Sequence, residues 1–84
     1  MLDRADAEAV IYRTAVAAFS WYPTKHQEEP GYSIQEDIDW CVEPLGDQFL
    51  PHRRGLSDRI RQLITDPTAD RRSFVRDLMA LTTD

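Results

Sequence analysis

Few residues in this chain could do chemistry on their own. His26, Cys41 and His52 are its histidines and its one cysteine, and their separations match none of the short ligand spacings of zinc sites. No metal or cofactor is therefore expected. A catalytic Cys41 would need an exposed, activated thiolate beside a base. Its sequence neighbours, Ile38 and Val42, instead place it on an apolar helix face, where an inert core thiol is the ordinary finding. Ser20, Ser33, Ser57 and Ser73 have no nucleophile-elbow signature around them. Gly31, Gly46 and Gly55 stand too far apart for a phosphate loop. Carboxylates are so numerous that a pair could always be brought together, so they point to no acid–base site. The expectation is a non-enzymatic protein.

What remains is recognition chemistry. Glu36, Asp37, Asp39 and Glu43 share one side of a helical stretch with Trp40, which lies roughly 200° from the core residue Ile38 on a helical wheel. Trp40 is either covered by the 19–32 segment, the ordinary fate of a tryptophan, or exposed in an acidic rim as a binding hot spot. Further along, Arg72 and Arg76 form an exposed i, i+4 pair. The expected partner-binding residues are thus Glu36, Asp37, Trp40, Glu43, Arg72 and Arg76.

The charge layout agrees with a recognition role. Residues 1–52 carry ten acids against Arg4, Arg13 and Lys25, whereas residues 53–84 carry seven arginines against five aspartates. An acidic front and a mildly basic back suit internal complementarity, head-to-tail association or a charged, basic protein partner. The stretch from the helical pattern of residues 56–65 through TDPT into the one that follows superficially resembles a helix-turn-helix that would use Arg72 and Arg76 on nucleic acid. That alternative is disfavoured: the isoelectric point is near 4.8, and Asp66, Asp70 and Asp77 lie among the arginines. A second alternative is a non-catalytic small subunit of a larger enzyme complex.

These residues must be positioned by helices, because no segment shows the period-two alternation of a strand. The expectation is an all-α single domain over 1–84, a compact bundle of about four helices near 3–22, 33–43, 56–65 and 67–82. The first is the organising element. Its AVIYRTAVAAFSWY stretch is apolar over about 260° of its circumference, so it must be covered on several sides. Tyr12, Val16 and Phe19 lie where the other helices run out of apolar surface, and are either the deepest core contacts or a homodimer contact. Pro23 is expected to stop this helix at Tyr22 and to open a polar loop over 23–31.

Ser33 to Glu36 matches a capping box. Ile34, Ile38, Cys41 and Val42 form the buried stripe of helix 2. Leu45, Phe49 and Leu50 are expected to anchor the next segment. Leu56, Ile60, Leu63 and Ile64 form the stripe of helix 3, with Ser57 or a neighbour as its cap. Asp66 or Thr68 is expected to cap helix 4, whose buried face is Phe74, Val75, Leu78, Met79 and Leu81. A lone cysteine favours a reducing cytoplasm. The acidic N-terminus lacks the basic start of an export signal, and the apolar run is too short to span a bilayer, so no membrane role is expected.

Overall fold

The computed structural model describes residues 1–82. These are mostly helical, and no strand occurs among them. The helices are α1 (Arg4–Val16), α2 (Tyr22–Glu28), α3 (Ile34–Val42), α4 (Arg53–Thr65) and α5 (Arg71–Ala80). A π-helical turn (Ala17–Trp21) joins α1 to α2, and a 3₁₀ segment (Glu43–His52) joins α3 to α4. The all-α expectation therefore holds, but the expected helix count and limits do not.

α1 is the central element, packing against α3, α4, α5 and the 3₁₀ segment. Its first turn is capped by Asp3, whose carboxylate accepts from the amides of Ala5 and Asp6, satisfying donors that a helix start leaves open. Gln48 fastens the same end to the 3₁₀ segment, accepting from the Asp3 amide at 2.6 Å and donating to Asp6 at 2.9 Å. The preceding Leu2 is buried, and its amide donates to the Leu81 carbonyl at 2.8 Å, tying the two ends of the described chain together.

Pro23 does not stop the first helix. The chain turns through the π-helical stretch and continues as α2 to Glu28, with the Tyr22 amide bonded to the Ala17 carbonyl five residues back. A proline inside an α-helix lacks one donor and crowds the carbonyl four residues before it. The wider turn immediately ahead places Pro23 in a first turn, where neither defect matters. The expected loop over 23–31 shrinks accordingly to the few residues after Glu28.

Ser33 caps α3 as expected, although its hydroxyl accepts from Gln35 at 3.3 Å rather than from Glu36. The 3₁₀ segment kinks at Gly46, whose φ of 54° and ψ of −131° suit glycine alone. It buries Leu45 and half-buries Phe49, while Leu50 is exposed rather than an anchor. α4 begins at Arg53, with His52 rather than Ser57 at the cap position. α5 is shorter than the 67–82 expectation because Asp70 caps it, accepting from Ser73 at 3.0 Å. Asp66 instead closes the preceding turn, where the Thr68 hydroxyl and amide hold its carboxyl below the usual range.

The core consists of Leu2, Ala7, Val10, Ala17 and Ala18 from the first helical stretch with Ile38, Cys41 and Val42 of α3, the α4 stripe, Leu45, Phe74 and Leu78, while Ile34 of the expected α3 stripe is only partly buried against it. Val75 and Met79 are partly buried against it, and Leu81 is exposed at the end of α5.

Candidate interaction surface

The acidic side of α3 is reorganised by its neighbours. Asp37 is 1% exposed. The Tyr32 hydroxyl donates to its carboxylate, and the Lys25 ammonium stands 4.0 Å away. Asp37 is thus removed from the expected partner-binding set. Its position explains why: three residues after Ile34 and four before Cys41, it borders the apolar stripe of its own helix. There α2 and the turn before Ser33 close over it, supplying the partners that a buried carboxylate requires. Burial, then the Asp37 carboxylate, push the Tyr32 hydroxyl well above its ordinary pKa.

Trp40 is half-buried, not free-standing. The indole of Trp21 covers it, as one of the two sequence expectations had it. Arg13 crosses from α1 to donate to the Trp40 carbonyl at 2.9 Å, and its guanidinium lies 4.8 Å from the centre of the Trp40 ring. That guanidinium also stands 3.6 Å from Glu43, whose side chain is largely exposed. Of the expected acidic rim, Glu36 and Glu43 remain on the surface with Asp39, which accepts from Gln35 at 2.8 Å.

Arg72 and Arg76 are both exposed on α5, as the i, i+4 reading expects. Arg76 is engaged within its own helix, 3.5 Å from Asp77 and 3.3 Å from the Ser73 hydroxyl. The more consequential arginine on α5 is Arg71. It donates to the Leu63 carbonyl near the end of α4 at 2.8 Å, and its guanidinium sits 4.4 Å from the Phe19 ring centre. Sequence reasoning passed over Arg71 because its role depends on the angle at which α5 meets α4. The one hint was its place in the first turn, where a cation gains nothing from its own helix dipole.

Tyr12 and Phe19, by contrast, are 65% and 68% exposed, with Val16 half-buried between them. They are not the deepest core contacts; Ala7, Val10 and Ala17 hold that place on the same helical stretch. The other six aromatic residues of the chain are all at least partly covered. Glu8, paired with Arg4 at 3.3 Å, marks one end of this stripe, and Arg71 over Phe19 marks the other.

The remaining chemistry-bearing residues are structural in their surroundings. Cys41 is fully buried, and burial pushes its thiol from an ordinary 9.0 up to about 11, with Thr14 working in the opposite direction. That is the reverse of an activated nucleophile. His26 stacks on Tyr22, the ring centres 4.8 Å apart. Among the described residues no group of three potential metal ligands converges, and no helix is long and apolar enough to cross a membrane. Comparison of the chain with protein-family models, curated proteins and solved structures gave no match.

Proposed function

We propose that this protein is a small acidic non-enzymatic interaction module of the reducing cytoplasm, an adaptor, regulator or inhibitor. Its contact face is the Tyr12–Val16–Phe19 stripe along α1 and the π-helical turn that follows it. The observation that carries this reading is the exposure of two large aromatic rings, 65% and 68%, one on α1 and one on the π-helical turn that continues it. Contiguous exposed apolar surface on a small domain marks interaction sites, and tyrosine supplies large contact area at little entropic cost.

The stripe suits pairing with a second copy. Glu8 and Arg71 lie at its opposite ends, so a two-fold axis through its middle sets each acid toward the other copy's arginine. Two exposed rings with Val16 amount to a few hundred Å² at most, well short of the roughly 800 Å² per partner in stable complexes. The contact is therefore a weak, concentration-dependent one. The acidic surface of Glu36, Asp39 and Glu43 is left outside it, available to a basic protein partner.

Sedimentation across a wide concentration range tests the proposal. The mass should rise toward a dimer at high concentration, and Tyr12→Ser with Phe19→Ser should hold the chain monomeric while lowering its unfolding midpoint only slightly, through the lost Arg71–Phe19 contact. A wild-type protein that stays monomeric to about 1 mM would remove the stripe as a self-contact.

A further inference from the structure

A different face holds a cleft of about 350 Å³ between the start of α4 and the length of α5. This is at the small end of the roughly 300–1,000 Å³ typical of ligand pockets. Its floor is apolar, formed by the buried side chains of Leu56, Phe74 and Leu78, with Leu81 at the lip. Its polar groups are mostly cationic or neutral in balance. Arg54 is exposed and has no hydrogen bond or ion pair among the described residues. His52 is half-buried beside it at the α4 cap position, and offers no side-chain acceptor to the first-turn amides.

The one carboxylate in the lining, Asp77, is already neutralised. Arg59 donates to it at 2.8 Å and Arg76 stands 3.5 Å from its other oxygen. The Arg59 hydrogen bond, above all, holds the Asp77 carboxyl below its ordinary pKa. The Arg59 guanidinium also lies 5.5 Å from the Phe74 ring centre, so a cation stands beside the apolar floor.

We infer that this cleft binds a small amphiphilic anion: an apolar chain or ring seated on Leu56, Phe74 and Leu78, with its carboxylate against Arg54 at the mouth. The floor sets the apolar part of this choice, and two features set its charge. The floor offers an apolar body nothing but hydrophobic contact, which favours a chain or ring without polar groups along it. Arg54 presents a planar, unengaged fork suited to a carboxylate. Arg53 and Arg54 sit in the first turn of α4, at the positive end of its dipole, where two cations are unfavourable unless an anion joins them. Gly55 lines the cleft and is exposed. A β-carbon there would meet no atom within 4 Å, so a side chain can be added at this edge of the cleft without a clash.

That room makes the inference testable without damage to the fold. The probe is sodium decanoate, added to the full chain and followed by NMR, with 1-decanol and decyltrimethylammonium as the neutral and cationic counterparts. Decanoate should shift the signals of Leu56, Leu78 and Leu81 and bind more tightly than either counterpart, with an affinity that falls as salt rises. Arg54→Glu, an exposed change, should weaken it about tenfold or more. Gly55→Leu should abolish it by filling the cleft while leaving the thermal midpoint at or above that of the wild type. The inference fails if the decanoate shifts fall elsewhere, if the alcohol or the cation binds as well, or if Arg54→Glu changes nothing. It also fails if only an acidic peptide, and no decanoate up to about 5 mM, perturbs the cleft. Decanoate binding should survive Tyr12→Ser with Phe19→Ser, which separates this site from the α1 stripe.

Discussion

The Trp21 and Trp40 rings lie against each other with centroids 4.2 Å apart and planes tilted by 34°. Each has its own cation, Lys25 at 4.7 Å from the Trp21 centroid and Arg13 at 4.8 Å from that of Trp40. This stack joins α1, the π-turn, α2 and α3, and it turns the residue that looked most available for binding into a seam of the fold. Trp40→Ala should therefore lower the unfolding free energy by about 2–3 kcal/mol. That is less than the cost of truncating a fully buried tryptophan, because the ring is only half-buried. Arg13→Ala should cost about 1–2 kcal/mol, since Arg13 holds the Trp40 carbonyl as well as its ring. Urea titrations of the two variants provide the check. A stability-neutral Trp40→Ala would return the ring to the list of binding residues.

Asp37 carries the second prediction. It fixes the turn before Ser33 by accepting from Tyr32, and it faces the Lys25 ammonium. Asp37→Ala leaves the Tyr32 hydroxyl without this partner and should destabilise by about 2 kcal/mol. Asp37→Asn keeps an acceptor for Tyr32 and should cost roughly half as much. Amide exchange should quicken first at residues 29–33 in both variants. Uniform quickening across the chain would mean that the carboxylate supports the whole core rather than this turn.

The contrast between Trp40 and Asp37 shows where sequence reading succeeds. Helical periodicity alone places Ile34, Ile38, Cys41 and Val42 inside, as it does Leu56, Ile60, Leu63 and Ile64; all but Ile34, which is partly buried, are fully so. Ser33 was legible as a cap because the required chemistry is local. The coverage of Trp40 by the 19–32 segment was legible as one of two outcomes. Asp37 was not, because a carboxylate on the edge of an apolar stripe goes inside only if distant residues supply partners. The passage through Pro23 depends on a wide turn that no residue type signals. The start of α4 was misplaced by three residues because no capping side chain announces it. Phe19 was readable as surplus apolar surface, but the arginine above it was not, since Arg71 arrives there through the packing of α5.

Two glycines should respond oppositely to the same change. Gly46 holds a φ of 54° with a ψ of −131°, a combination that strains any residue with a β-carbon. Gly46→Ala should destabilise by about 1–3 kcal/mol even though the space beside it is open. Gly55 lies within α4 and shows no positive φ. Gly55→Ala should stabilise by about 0.5–1 kcal/mol through helix propensity and a less flexible unfolded chain. Thermal midpoints moving in the same direction would contradict this assignment of the two backbones.

Alkaline pH should weaken the fold through Cys41. In the native state its thiol is pushed from an ordinary 9.0 up to about 11 by burial, so the unfolded chain loses this proton first. Between roughly pH 9 and 11 the unfolded state binds fewer protons than the native one, and stability falls as pH rises. The loss for this one group is on the order of 2 kcal/mol. Tyr32, raised above its ordinary 10.0 by burial and by Asp37, adds a loss of the same sign that begins near pH 10 and continues above it. Cys41→Ala separates the thiol from everything else that titrates there. The variant leaves a small cavity and should be the less stable protein at pH 7, but its urea midpoint should fall more gently with pH, so that the two curves approach each other toward pH 11. Parallel curves would show that the thiol ionises as readily in the folded protein as in the unfolded one.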